Sequence, residues 1–386
     1  VVLKIFKKLN SKFIILKEVS NNSSLKKFVL FSKKLYKGHP YYVPGLVMDE
    51  LTTLRKDKNP AFEFCESVYY LAYRGTQIVG KIAGIINHRA NEIWNQRYAR
   101  FGFVDFIDDE QVSKALFEAV EKWAKDKGMN AIHGPLGFTG LDHEGLLILG
   151  FNQLGTMATT YNFSYYEKHL IKAGYKKDQD WKEFHIQIPK YIPDKHCRIS
   201  KIITQRYGLK IVKCKCVKQL FSYAKKIFEL LNKSYGPLYG YSKFSDKQIE
   251  YYTKIYIPFL RLKMVTLIVR ELDDAVIGIG IAIPSLSKAL QKAKGRLFPF
   301  GWFYLLKSLY GKNKIVDLYL IGIHPKYQNK GVNALLFYDL IPILNTKKFL
   351  YAESNPELES NKKVQLQWNY FSTEHVRTRR AFIKHL

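Results

Sequence analysis

One order of elements is written into this chain twice, and that repetition limits its fold more than any bulk property does. In the first half, Ser67 to Tyr73 (SVYYLAY) and Ile78 to Ile86 are strand-like runs joined by Arg74-Gly75-Thr76-Gln77, a hairpin signal. The run FGFVDF, just beyond Arg100, is the next strand. Asp108 to Gly128 then sets Val112, Leu116, Ala119, Val120 and Trp123 on one helical face and stops at glycine. Met129 to His133 is a short strand before Gly134-Pro135. The second half repeats this order with Met264 to Glu271, Ala275 to Ile283 and the continuous apolar run Ile315 to Ile323. A helix with Val332, Leu335, Leu336, Leu340, Ile343 and Leu344 on one side follows, then a strand over Phe349 to Glu353. Each half also opens with a strand and a helix: Phe13 to Val19 with Leu25 to Leu35, and Leu209 to Cys216 with Leu220 to Leu231. The repeat is one of pattern, with little residue identity.

At 386 residues the chain exceeds a typical single core, so two domains are expected. Pro189-Lys190-Tyr191-Ile192-Pro193-Asp194 breaks any regular element and the pattern restarts at Leu209. That predicts domains over 1–192 and 208–386 with a linker over 193–207. Each is expected to be an α/β unit, a mostly antiparallel mixed sheet flanked by helices.

The formal net charge is +29. It suits nucleic acid, an anionic membrane surface, or a phosphate-bearing cofactor or carrier protein; it is also what lysine-rich solvated surfaces give. The pairs Lys7-Lys8, Lys26-Lys27, Lys176-Lys177, Lys225-Lys226 and Lys362-Lys363 are scattered, so there is no firm nucleic-acid signal. No run approaches the roughly 18 apolar residues of a membrane span. Val1 to Lys8 predicts no signal peptide. Cys214 and Cys216 lack the spacing of a zinc or redox site, and the four cysteines are expected as free thiols in a cytoplasmic protein. The aromatic stretch Arg296 to Lys312 (RLFPFGWFYLLKSLYGK) lies between repeated elements. It reads as a helix packed on the core, as the wall of an apolar pocket, or as a membrane-touching segment.

Ile321-Gly322-Ile323 leads through His324-Pro325-Lys326-Tyr327 and the polar loop Gln328-Asn329-Lys330-Gly331 into a helix beginning Val332-Asn333-Ala334. A buried strand, a glycine loop and a helix N-terminus together make an anion cradle, because free amides and the helix dipole point at one place. Lys330 can add a charge-assisted contact. In the first half, Phe106-Ile107-Asp108-Asp109-Glu110-Gln111 stands at the same position; its carboxylates cap a helix and repel a pyrophosphate. His133 and His143, with Asp142 and Glu144, surround the loop Gly134-Pro135-Leu136-Gly137-Phe138-Thr139-Gly140. They read either as a substrate or metal cluster or as a solvated loop, and their spacing matches no metal signature.

The Gln328 to Ala334 run resembles the coenzyme A loop of the GNAT superfamily, Gln/Arg-x-x-Gly-x-Gly/Ala, with Asn333 in place of the last small residue. Tyr351 to Val364 is similar to the strand-to-helix segment that follows, and His375 to Lys384 to the final strand of a subgroup. The resemblance covers roughly Leu209 to Leu386, and in element order the first half too; it is nearest to bacterial tandem proteins. It implies that loop amides grip the coenzyme A pyrophosphate, that Ile321, Gly322 and Ile323 lie along the pantetheine, and that Asn361 contacts the cofactor. It makes Asp317 and Glu353 the candidate bases and Tyr370 the candidate acid, with no metal. The implied activity is acyl transfer, acetyl in the first instance, from acyl-coenzyme A to a small-molecule or peptide amine by direct transfer. A non-catalytic scaffold that senses coenzyme A or binds a partner, and a transferase using charged transfer RNA, are the alternatives.

Overall fold

The computed structural model describes residues 13–386; the expectation for Val1 to Lys8 lies outside the described residues. In chain order the first elements are β1 (Ile14–Glu18), α1 (Asn22–Leu35), α2 (Val47–Thr53), β2 (Cys65–Arg74), β3 (Gln77–Asn87) and α3 (His88–Ile93). Next come β4 (Tyr98–Phe106), α4 (Glu110–Asp126), β5 (Ala131–Gly134), β6 (Leu146–Leu149), α5 (Tyr165–Lys172) and β7 (Lys176–Gln187). They are followed by α6 (Asp194–Tyr207), β8 (Leu209–Val212), α7 (Val217–Tyr235), α8 (Asp246–Tyr256), β9 (Val265–Arg270) and β10 (Val276–Pro284). The last group is α9 (Ser287–Ala293), α10 (Gly301–Tyr310), β11 (Ile315–Ile323), α11 (Asn333–Thr346), β12 (Tyr351–Ser354), β13 (Glu357–Leu358), α12 (Lys362–Gln365) and β14 (Thr373–His385).

The chain forms two compact units. Unit 1 holds the chain up to Trp181 with Ser287–Trp302 and Arg377–Leu386, and unit 2 holds Lys182–Leu286 with Phe303–Val376. This departs from the expected division at 193–207, for two physical reasons. The supposed linker is largely the helix α6, ended by Gly208 at φ +56°. The last strand belongs to unit 1 because Phe382 and Ile383 pair antiparallel with Gly134 and His133 of β5, and Phe382 is buried in that unit's core. Residues 287–302 join unit 1 through Gln291, whose side-chain amide donates to the carbonyls of Pro40 and Tyr42.

In unit 1 the strands run β1-β2-β3-β4-β5-β14, antiparallel except for β4 with β5. In unit 2 they run β8-β9-β10-β11-β12-β7, antiparallel except for β11 with β12. The same arrangement therefore arises twice, as the repeated pattern of apolar runs requires. In unit 1, Val112, Leu116, Phe117 and Val120 of α4 pack on Phe101 and Phe106 of β4. Asp109 caps α4, accepting from the amides of Gln111 at 3.0 Å and Val112 at 3.3 Å, a contact of about 1 kcal/mol. It is also paired with Arg74 at 2.7 Å. The first half thus closes with its own carboxylate the helix end that the second half leaves open.

Candidate functional site

The site is built by unit 2 around a defect in its central strand. Along β10 and β11 the register steps from Ile281 opposite Leu320 to Ala282 opposite Leu318, so Tyr319 is an extra residue on β11. The parallel ladder with β12 ends at Leu318 opposite Ser354. Among the described residues, no strand pairs with Leu320 to Ile323 on the β12 side. Side chains reach the carbonyls there instead: Asn355 donates to Tyr319 at 2.5 Å, and the Tyr235 hydroxyl, at the end of α7, donates to Ile321 at 2.8 Å. Tyr235 and Asn355 escaped the sequence reading, because nothing local marks a hydroxyl or an amide that comes to rest on a distant strand. Burial pushes the Tyr235 hydroxyl up to about 12, with the Ile321 carbonyl lowering it slightly, so it remains protonated.

At the end of β11 the chain turns through Pro325–Tyr327, and Gln328 donates its side-chain amide back to the Ile323 carbonyl at 3.1 Å. Asn329 and Gly331 then adopt φ of +60° and +80°. These left-handed steps bring the chain through a tight turn into the N-terminus of α11. Among the described residues, the amides of Asn329, Lys330, Gly331, Val332 and Asn333 donate to no backbone or side-chain acceptor. The bonds resume only where Ala334 donates to Gly331 and Leu335 to Val332. Val332 and Leu335 are buried with Ile203 and Leu209, which anchors the loop from below. The place of the last small residue is taken by Asn333 without loss of this geometry, since it is the first residue of α11 and is only partly buried.

Beside the loop lies an open cleft of about 910 Å³ whose lining includes Lys226, Lys233, Arg270, His324, Lys326 and Lys330. Arg270 is held by Asp273 and Lys226 by Asp274. Lys233, Lys326 and Lys330 have no carboxylate partner among the described residues. His324 is pushed down by burial and then by Lys233, Lys326 and Arg270, which reports a positive local field. Loop amides without a protein acceptor among the described residues, a helix N-terminus and three lysines without a carboxylate partner there suit a polyphosphate.

The expected bases meet a third partner. Register pairs Asp317 with Glu353 and Glu353 with His185, so the three stand in one row on one sheet face. Their neighbours Val316, Ala352 and Ile186 point the other way, into the core under α11. Asp317 and Glu353 are only 5% and 6% exposed, and His185 Nε2 lies 3.2 Å from Glu353 Oε1. Tyr370, by contrast, sits with α6. Its hydroxyl is 2.6 Å from Lys195 Nζ, and its ring is 5.4 Å from that of His196, which in turn packs 5.5 Å from Phe337 of α11. That is the opposite sheet face from Glu353, so the two are not brought together. Asn361 stands before α12, its side chain making no capping bond.

The α11 face also holds a narrow apolar crevice of about 40 Å³, lined by Ile186, Leu318, Ile321, Phe337, Leu340 and Trp368 among others. Trp368 donates its indole N–H to both oxygens of Glu357, at 2.9 and 3.1 Å. Burial raises Glu357 to about 8 despite that bond, so its carboxyl is protonated at neutral pH. A folded value above the ordinary carboxylate range contributes stability that is complete below about pH 4.5 and is lost as pH rises through 8. Glu357→Gln is therefore expected to melt with the parent protein at pH 5 and several degrees above it at pH 9. Equal melting temperatures at both values would show the carboxyl to be ionised and solvated.

In unit 1, the cluster around residues 133–144 is not the solvated loop that one reading expected. His133 is buried and 3.5 Å from Asp178, and Asp142 accepts from the Thr139 amide at 2.9 Å. Burial raises Asp142 to about 6 and Glu144 to about 8. Among the described residues no group of side chains is arranged to hold a metal ion.

No family model matches the chain. Over 332 residues it is 27% identical to Protein YghO of Escherichia coli (strain K12), covering 84% of this chain and 82% of that protein. Over 382 residues it is 24% identical to the bacterial ceramide synthase of Caulobacter vibrioides (strain NA1000 / CB15N), covering 95% and 96%. A solved tandem GNAT protein from the clavulanic acid biosynthesis pathway superposes with a TM-score of 0.55 at 10% identity, covering 96% of this chain and 98% of that one.

Proposed function

We propose that this chain, a tandem GNAT protein by fold, transfers an acyl group from acyl-coenzyme A directly to an amine. The observation that carries the reading is the combination in unit 2 of the stretch Leu320 to Ile323, beyond the end of the β11–β12 ladder, with the amides of Asn329 to Asn333 that follow it. A pantetheine amide chain can complete the one while its pyrophosphate takes the other. Gln328, Lys330 and the backbone through Ala334 hold the phosphates; Ile321, Gly322 and Ile323 line the arm. Asn361 is assigned to the same cofactor on the strength of its motif position.

In the reaction the amine nitrogen attacks the thioester carbonyl, a C–N bond forms and the C–S bond breaks. Glu353, backed by His185 and Asp317, takes the amine proton directly or through water. We assign the proton for the departing thiolate to the Tyr235 hydroxyl, which has to leave the Ile321 carbonyl to give it; Tyr370 is the alternative donor if the acceptor approaches from the α11 side. A ceramide is the fatty amide of a long-chain amino alcohol. The Caulobacter relative's name therefore favours an N-acyl transfer here and makes a lipid-like amine the first acceptor to test. The same relative's name supports an acyl chain longer than acetyl as a second reading of the donor.

Calorimetric titration of the purified chain with coenzyme A, acetyl-coenzyme A and palmitoyl-coenzyme A tests the reading. Binding of all three, with thiol release on adding a long-chain amino alcohol, is the expected result. Binding without thiol release from any amine would favour the non-catalytic scaffold, and no binding would remove the acyl-coenzyme A reading altogether.

A further inference from the structure

The segment between β10 and β11 carries surface that the transfer reaction does not use. From Ala275 to Val316 the chain has no carboxylate, and it has seven cations: Lys288, Lys292, Lys294, Arg296, Lys307, Lys312 and Lys314. All seven are exposed. Within the same segment Phe298, Phe300 and Tyr310 are 73%, 70% and 67% exposed, and Trp302, Phe303 and Leu306 are 45–51% exposed. A soluble surface rarely shows so many large apolar side chains in so short a stretch.

The exposure is not the result of a loose segment. Leu305 and Leu309 are buried, the Ser308 hydroxyl donates to the Ser285 carbonyl at 2.8 Å, and Asn313 donates to the same carbonyl at 2.9 Å. Helix α10 is thus fixed by one side, while Trp302, Leu306 and Tyr310, at successive i+4 positions, stand on the other. At ten residues it is about 15 Å long, too short to cross a bilayer and sufficient to lie in its surface.

We propose that α10 and the residues before it, Arg296–Gly301, form a docking surface for an anionic lipid bilayer. Trp, Tyr and Phe are the residues that settle at the headgroup level, and exposed Lys and Arg around them are attracted to acidic lipids. The same charge pattern disfavours a second copy of the chain as the occupant, because a two-fold contact through a segment without carboxylates would bring cations against cations. The surface also delivers the enzyme to where lipid-like amines reside, but its assignment does not rest on catalysis.

Flotation of the full chain with vesicles tests it, using phosphatidylcholine alone and phosphatidylcholine containing about 30% phosphatidylglycerol at about 0.15 M salt. Binding to the anionic vesicles is expected to exceed that to the neutral ones by about tenfold or more. The variant Trp302→Ser/Phe303→Ser/Leu306→Ser is expected to lose about tenfold of that binding with its melting temperature unchanged. Lys307→Glu/Lys312→Glu/Lys314→Glu is expected to lose a similar amount and to bind with a weaker salt dependence. Absence of binding to anionic vesicles overturns the proposal. So does full binding by the apolar variant, which would assign the attraction to the diffuse charge of +29. A parent dimer in sedimentation that the apolar variant makes monomeric would overturn it as well, by identifying the occupant as a second copy. None of these readouts involves acyl transfer, so the proposed function stands or falls separately.

Discussion

Glu353→Gln is expected to lower turnover by about 10²- to 10³-fold while leaving coenzyme A affinity within about twofold of the parent. The substitution keeps the shape of the side chain and an oxygen that accepts from His185, and it removes the capacity to take a proton. Glu353 lies between Asp317 and His185 in a row fixed by strand register, so neither neighbour can move into its place without breaking the β11–β12 or β12–β7 ladder. Asp317→Asn is expected to have a smaller effect, because Asp317 stands one strand further from His185 and acts only through Glu353. Turnover of Glu353→Gln within threefold or so of the parent would place the base elsewhere. Loss of coenzyme A binding in step with turnover would mean that Glu353 holds the strand edge in shape and takes no proton.

The comparison of sequence with structure separates what local pattern can carry from what only topology supplies. Strand β11 runs over Ile315–Ile323, as its continuous apolar run predicted, because a long run rich in β-branched and apolar residues leaves little freedom in where such a strand begins and ends. The loop after it was legible for a similar reason: a polar, glycine-containing break between a buried strand and an amphipathic helix has few conformations, and its left-handed residues are Asn329 and Gly331. His185 was not legible. It reaches Glu353 because β7 lies beside β12, although the partners are 168 positions apart in the chain, and its segment precedes the break at Pro189 that marked the expected boundary. The same limit applies to Arg377–Leu386. Resemblance identifies it as a strand, but only the edge of β5 determines the sheet it completes. Tyr370 shows the converse limit: its position after the Asn361 segment suggests an acid near Glu353, and the packing of its ring against His196 takes it to the other face of the sheet.

Gly331→Trp is expected to weaken coenzyme A binding by about 100-fold or more, since five amides lose their common aim together. Gly331 has φ of +80°, a region that costs any L side chain about 1–2 kcal/mol. A Cβ there would also stand 2.8 Å from Ile199 and 3.0 Å from Ile203, both on α6. These are the branched ends of side chains within one helix, so α6 has to move away from the loop or the loop away from α6. The indole then occupies the space in front of the helix N-terminus. Because part of the loss could come from general damage around α6, the folded state of the variant must be checked by its melting temperature, and a second variant is needed that leaves the backbone alone. Lys330→Glu is that variant. Lys330 Nζ rests 5.5 Å from the Tyr207 ring and 5.7 Å from that of Tyr327, without a carboxylate partner among the described residues. Reversing its charge is expected to cost about tenfold in affinity and to flatten the salt dependence of binding, with little effect on stability. If coenzyme A bound both folded variants as tightly as the parent, the pyrophosphate could not lie against α11. The open edge of β11 would then have to serve a ligand without phosphates.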